Sequence, residues 1–202
     1  RLIGQSMGWN TGSISATTFL YTGTGKGIQL STSGNNAYNY ELANFVVKGL
    51  VGGVKTGAVG IEIGASIDGS VETGRMNNVY VHGFATAGIH CGNAEVSQFD
   101  NVSIENCTKG VHLEGTTNTT VLWNNLRILN CSDIGLHIQG CKRYVFVNAA
   151  IDGCGEEALR IETRTSNAVF INFWCEDNLI THSSGTKYQA YIEDAVGEPS
   201  SI

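Results

Sequence analysis

Apolar and polar residues alternate along this chain in short runs, and the runs recur on a fixed ruler. Six asparagines, Asn44, Asn78, Asn101, Asn125, Asn148 and Asn172, each stand two residues after one apolar residue and immediately before another. From Asn78 onward the intervals are 23, 24, 23 and 24 residues. A fixed period of this size marks a solenoid whose repeats stack. The first interval, 34 residues from Asn44 to Asn78, calls for one enlarged loop.

Each repeat carries three strand-like runs. After the asparagine come Phe45/Val47, Val79/Val81, Val102/Ile104, Leu126/Ile128, Ala149/Ile151 and Phe173/Cys175. Later in the repeat come Ile28/Leu30, Ile61/Ile63, Ile89/Cys91, Val111/Leu113, Leu136/Ile138, Leu159/Ile161 and Ala190/Ile192. A third run, before the asparagine, contributes Leu42, Met76, Phe99, Trp123, Phe146 and Phe170 to one interior stack. Period-two alternation puts one face of each run inward and the other outward.

Three short strands per repeat, no helical period and a single proline predict an all-β chain, a parallel β-helix of about seven coils whose turns hydrogen-bond to one another. The asparagines then form a ladder, because Asn tolerates the left-handed backbone of a sharp bend and its amide bonds to the amides above and below. A second corner recurs as Gly49, Gly83, Asn106, Asn130, Gly153 and Asp177, residue types that accept positive φ or bond their own backbone. The helix is expected over residues 1–193 and a linker, containing Glu198-Pro199-Ser200, over 194–202. The sequence opens in mid-pattern and is read as an excerpt of a longer protein.

Composition narrows the partners. A net charge of −6 and a pI near 5.3 argue against nucleic acid or an anionic membrane surface, and no apolar run reaches spanning length. Six cysteines include no C-x-x-C pair, and Cys107, Cys131 and Cys154 share one repeat position that Leu50 and Phe84 fill in earlier turns. They are therefore expected as stacked core residues rather than disulfides or metal ligands. Sequons at Asn101, Asn106, Asn118 and Asn130 carry little weight, since Asn101 belongs to the ladder. Nothing implies a cofactor or a metal: 68–72, Asp-Gly-Ser-Val-Glu, lacks the acidic spacing of a calcium loop.

The repeats, together with the opening Leu2-Ile3-Gly4-Gln5-Ser6 and the stretch from Thr17 to Leu30, resemble right-handed parallel β-helices of the pectate-lyase-like superfamily, especially those of bacteriophage tailspikes and tail appendages. The resemblance covers residues 2 to about 193. It implies that the Asn ladder marks the bend between the second and third sheets. By the same resemblance the Ile28/Leu30 series forms a first sheet whose outer face lines a saccharide groove. It further implies a homotrimeric parent protein in a virion tail assembled in the bacterial cytoplasm, or alternatively a secreted bacterial protein. Signatures of polygalacturonases and of calcium-dependent pectate lyases are missing, and Arg160-Ile161-Glu162 has Glu where the former carry Lys.

The outward residues of the first-sheet runs are Gln29, Glu62, His90, His112, His137, Arg160 and Tyr191. Two residues on, and so on the same face, are Gly64, Gly92, Glu114, Gln139, Glu162 and Glu193. Glu114 and Glu162 lie two turns apart, about 9.6 Å at the usual strand spacing, near the roughly 6.5–9.5 Å of an inverting glycosidase pair. They are the candidate catalytic carboxyls. His112 and His137 are candidates for binding sugar hydroxyls or assisting proton transfer, Arg160 for gripping a sugar carboxylate, and Glu62, His90, Gln139 and Tyr191 for completing the binding face. The same polar rows also fit a sheet that merely faces solvent.

A rival row on the third sheet, Lys48, His82, Glu105, Leu129, Asp152 and Glu176, offers the adjacent carboxyls Asp152 and Glu176, with Trp174 beside them; it equally fits a subunit contact. The loops 49–60, 64–74 and 178–187 are candidate specificity loops, and Glu156-Glu157 reads as a solvated pair. Two functions remain: a depolymerase that hydrolyses a bacterial surface polysaccharide, and a non-catalytic adhesin or tail-fibre shaft.

Overall fold

Apart from one short hairpin, the strands pair in parallel with their counterparts in neighbouring repeats. A computed structural model of the chain describes residues 2–3, 17–30, 37–64, 70–115, 119–162, 165, 167–179 and 189–192. The described residues contain strands and no helix, so none is long and apolar enough to cross a membrane. They form a β-solenoid of about six turns. Residues 193–202, including Glu193 and the expected linker, lie outside the described residues, as do Asp68 and Asn118.

The first sheet comprises Lys26–Leu30, Val59–Ile63, Ala87–Cys91, Lys109–Glu114, Leu136–Gln139, Leu159–Ile161 and Ala190–Ile192. Its register is the expected one, with Ile28, Ile61, Ile89, Val111, Leu136, Leu159 and Ala190 in one column. The other two runs of each repeat are joined. Six long strands, Glu41–Lys48, Arg75–His82, Ala94–Glu105, Thr119–Leu129, Lys142–Asp152 and Val169–Glu176, run through the asparagine, which the pairing skips, and keep one register on both sides of it. Three faces are thus built from two large sheets, one of which is sharply bent.

The bend is made by the ladder. All six asparagines have φ between 51° and 59°. Asn78 Nδ2 donates to Asn44 Oδ1 at 3.0 Å, Asn125 to Asn101 at 3.0 Å, Asn148 to Asn125 at 3.2 Å and Asn172 to Asn148 at 3.0 Å. Five of the six second-corner residues also have positive φ. Gly49 is not among them. It is needed for closeness, since a Cβ there would lie 2.7 Å from the Phe84 ring.

A third left-handed column stands five residues before each ladder asparagine and has no sequence signature. It consists of Asn39, Thr73, Val96, Thr120, Arg143 and Asn167, with φ from 46° to 60°. Asn39 and Thr73 bond each other there, the Asn39 backbone N–H donating to Thr73 Oγ1 and the hydroxyl to Asn39 Oδ1, both at 3.1 Å. Val96 has no polar side chain to do the same, and a β-branched residue in this region is strained.

Within the turns, identical positions stack. Phe99, Trp123, Phe146 and Phe170 have successive ring centroids 4.6, 6.2 and 5.1 Å apart. Cys107, Cys131 and Cys154 are buried, and all six cysteines are free thiols. Burial pushes the Cys107 thiol up to about 11. Between the first and third faces lies a glycine column. A Cβ on Gly110 would sit 2.4 Å from Ile128 Cγ2 and 2.5 Å from the Gly135 carbonyl oxygen. Gly88 and Gly135 meet Ile104 and Ile151 in the same way. The column changes to Ala158 on the turn where the residue in register with Ile151 is Cys175, which has no γ-branch.

The enlarged loop after Asn44 contains an antiparallel hairpin, Leu50–Val51 with Val54–Lys55, turning on Gly52 and Gly53 at φ 58° and 84°. Two glycines between valines are the composition such a turn requires.

Two substitutions probe these columns. Val96→Asn keeps an exposed position exposed and removes the left-handed penalty, so it is expected to stabilise the fold by about 1 kcal/mol. Gly110→Ala is expected to destabilise it by about 1–3 kcal/mol, because the facing backbone is fixed by ladder hydrogen bonds. Thermal midpoints of the two variants, one raised and one lowered, check both.

Candidate functional site

Parallel, in-register pairing brings like positions onto neighbouring rungs about 4.8 Å apart. Gln29, Glu62, His90, His112, His137, Arg160 and Tyr191 accordingly form one outward column on the first sheet. Three imidazoles are stacked in its middle. The His90 and His112 ring centroids are 5.3 Å apart, and those of His112 and His137 are 4.7 Å apart and within 11° of parallel.

The second outward column leans back onto the first. Glu114 is in register with Gln139 on the next turn, and Glu162 follows one turn later. Glu114 Oε1 approaches His90 Nε2 at 3.0 Å and its Oε2 lies 3.6 Å from His112 Nε2. Glu162 Oε1 meets His137 Nε2 at 2.8 Å. Both carboxylates thus reach one rung toward the N-terminal turns.

A third set of side chains, three residues ahead of the first column, was not assigned to this face from the sequence. Lys26 pairs with Glu62, Lys109 Nζ lies 3.1 Å from His137 Nδ1, and Arg160 donates to Glu157 Oε2 at 2.6 Å. The signal that could have found them is positional, since 26, 109 and 157 precede 29, 112 and 160 by the same step. An ammonium only donates, so His137 Nδ1 is the acceptor and its proton sits on Nε2, directed at Glu162. Lys109, His137 and Glu162 form a relay that orients one carboxylate.

These contacts separate the candidates. Glu62 is only 3% exposed and presents Oε1 to His90 Nδ1 at 3.3 Å, so it anchors an imidazole from beneath. Arg160 is held by Glu157, with Glu156 at 3.6 Å. Glu157 is therefore buried against a guanidinium, unlike the solvated pair expected from the sequence. Glu114, Gln139 and Tyr191 face solvent, and Glu162 is half-buried. His90 Nε2, His112 Nε2 and Glu114 offer ligand atoms within 4.8 Å of one another, a group able to hold a metal ion.

Crowding of basic groups governs the imidazoles. Burial first, and then the neighbouring His137 and Lys109, push His112 down to about 4 against the opposing pull of Glu114. Burial also lowers His137, partly offset by its hydrogen bond to Glu162.

The third-sheet row is assembled as expected, with Asp152 and Glu176 paired on adjacent rungs and Leu129 interrupting. Its charges are partly committed: Tyr80 donates to Glu105, and Asn106 Nδ2 lies 3.0 Å from His82 Nε2. Trp174 is 63% exposed. A cleft of about 460 Å³ at the third corner, bordered by Tyr40, Arg75 and Gln98 among others, shares no residue with the histidine columns. A comparison of the chain with known protein families, curated proteins and solved structures finds no match in any of the three.

The histidine column has a pH signature. Between its ordinary value of 6.5 and about 4, His112 is neutral in the folded chain while the unfolded chain binds a proton there. Stability therefore falls as pH drops through that window, and His137 acts in the same direction. Imidazole NMR titration in chelator-treated buffer is expected to show one ring with a midpoint near 4, and the thermal midpoint is expected to fall as the buffer is acidified below about pH 6.5.

Proposed function

We propose that the first-sheet face binds an extended bacterial surface polysaccharide and hydrolyses its glycosidic bonds, in the manner of a phage tailspike depolymerase of the pectate-lyase-like β-helix type. The observation that carries this reading is the placing of Glu114 and Glu162 two rungs apart on one face, both leaning the same way, which keeps their separation near 9.6 Å, twice the roughly 4.8 Å strand spacing. That is at the upper edge of the roughly 6.5–9.5 Å that leaves room for a water between acid and base in an inverting mechanism.

In this reading the relay from Lys109 through His137 holds Glu162 Oε1, and the other carboxylate oxygen takes a proton from the attacking water. Glu114, 45% exposed, delivers a proton to the departing glycosidic oxygen. Gln139, exposed on the rung between Glu114 and Glu162, is in position to hydrogen-bond a sugar hydroxyl near the pair, and Tyr191 supplies an aromatic surface for a sugar ring further along. The column runs along the stacking direction, so a linear glycan lies across several turns. His90 and His112 border the acid, and Glu62 and Arg160 act by holding neighbours in place. The parent protein is proposed to be a homotrimer in a virion tail, or a secreted bacterial protein with the same face; the exposed Trp174 beside Glu176 favours a subunit contact on the third sheet.

Glu114→Gln and Glu162→Gln, made singly in the full-length protein, are each expected to lower release of reducing ends from host capsule or lipopolysaccharide by roughly 10²-fold or more. Undiminished release in both variants would dispose of the hydrolytic pair. A glycan that the unaltered protein binds and leaves intact would make the face an adhesin.

A further inference from the structure

We propose that His90, His112 and Glu114 form a binding site for one divalent transition-metal ion of the zinc class. The three side chains come from two adjacent rungs and converge: the ligand atoms lie within 4.8 Å of one another, with His90 Nε2 and Glu114 Oε1 already 3.0 Å apart. Around a tetrahedral ion with bonds of about 2.0–2.1 Å, ligand atoms sit about 3.3 Å apart, a spacing that the two His–Glu114 distances of 3.0 and 3.6 Å bracket, and side-chain rotation about the ion closes the set.

Two further observations point to a cation. His90 Nε2 and His112 Nε2 are both buried and without a hydrogen-bond partner, although each faces the same carboxylate. The opposite nitrogen of His90, Nδ1, lies 3.3 Å from the buried Glu62, itself ion-paired to Lys26. A carboxylate behind a histidine fixes the proton on the nitrogen that faces it, here Nδ1, and leaves a lone pair on Nε2, the usual support for a metal-bound imidazole. A lone pair facing a carboxylate oxygen at 3.0 Å is repulsive until a cation lies between them. His137 cannot join, since Lys109 and Glu162 occupy both its nitrogens.

Two imidazoles and one carboxylate suit zinc rather than calcium or magnesium, which take oxygen ligands. The solvent-facing side of Glu114 leaves a fourth position open for water or a ligand oxygen. The site stands on its own geometry, whether or not the face cleaves a glycan. A metal and a proton on Glu114 exclude each other, so the loaded form of a hydrolase working through Glu114 is inactive.

Zinc chloride titrated calorimetrically into chelator-stripped protein is expected to show one equivalent bound. Affinity should fall at least about tenfold in His112→Ala and Glu114→Gln and stay within about twofold in His82→Ala, on the third sheet. Should a variant fail to fold, the unaltered protein decides by NMR. Of its five histidines, zinc should shift the ring nitrogens of His90 and His112 and leave His82 unmoved. No uptake, uptake that survives both ligand substitutions, or no shift at His90 and His112 would overturn the site and leave His90 as a structural bridge between Glu62 and Glu114. Loss of zinc binding with intact glycan cleavage, or the reverse, separates this inference from the hydrolase reading.

Discussion

In-register hydrogen bonding between successive turns is the constraint on which the rest of this protein depends. Once each strand pairs in parallel with the equivalent strand of the next turn, every position has a copy of itself roughly 4.8 Å above and below. A residue type survives in a column only if it tolerates its own kind at that distance. Asparagine does so by bonding amide to amide, aromatic rings by stacking, and the cysteines by being small and apolar. Glycine does so where the β-branched residues of the opposite face need room.

Charge is the exception, because like charges stacked at this spacing repel. The histidine column resolves the conflict by remaining neutral at its centre, with His112 driven down by burial and basic neighbours. Carboxylates interleave with it from the adjacent positions, and Lys26 and Lys109 reach in from a third. The resulting face is a network in which buried groups orient exposed ones. Glu114 and Gln139 are the members of this network that reach furthest into solvent, with Glu162 half-buried beside them.

The polymer binding proposed for this face uses the same geometry. The columns are collinear with the stacking axis, so outward contacts repeat along one direction about every 4.8 Å. The same regularity that makes the interior possible lays out the exterior as a track.

Much of this was legible in the residues themselves. Asparagine betrays the ladder because it alone combines tolerance of positive φ with an amide that bonds up and down, and the alternation of Phe99, Val102 and Ile104 about Asn101 declares which side is inward. Column membership on the first sheet followed from counting, and so did the neighbourhood of Glu114 and Glu162. The third corner was hidden: Val96, Thr120 and Arg143 hold left-handed backbone that their side chains do not favour, because the pairing on both sides of the bend imposes it. Equally hidden were the partners. Lys109 with His137, Glu157 with Arg160 and Glu62 beneath His90 depend on which way each side chain leans from its rung. The sequence by itself determined the period, the inward faces and the rows. Only the folded chain decided which members of those rows touch, since a repeat specifies distances along the backbone and packing specifies the directions of side chains.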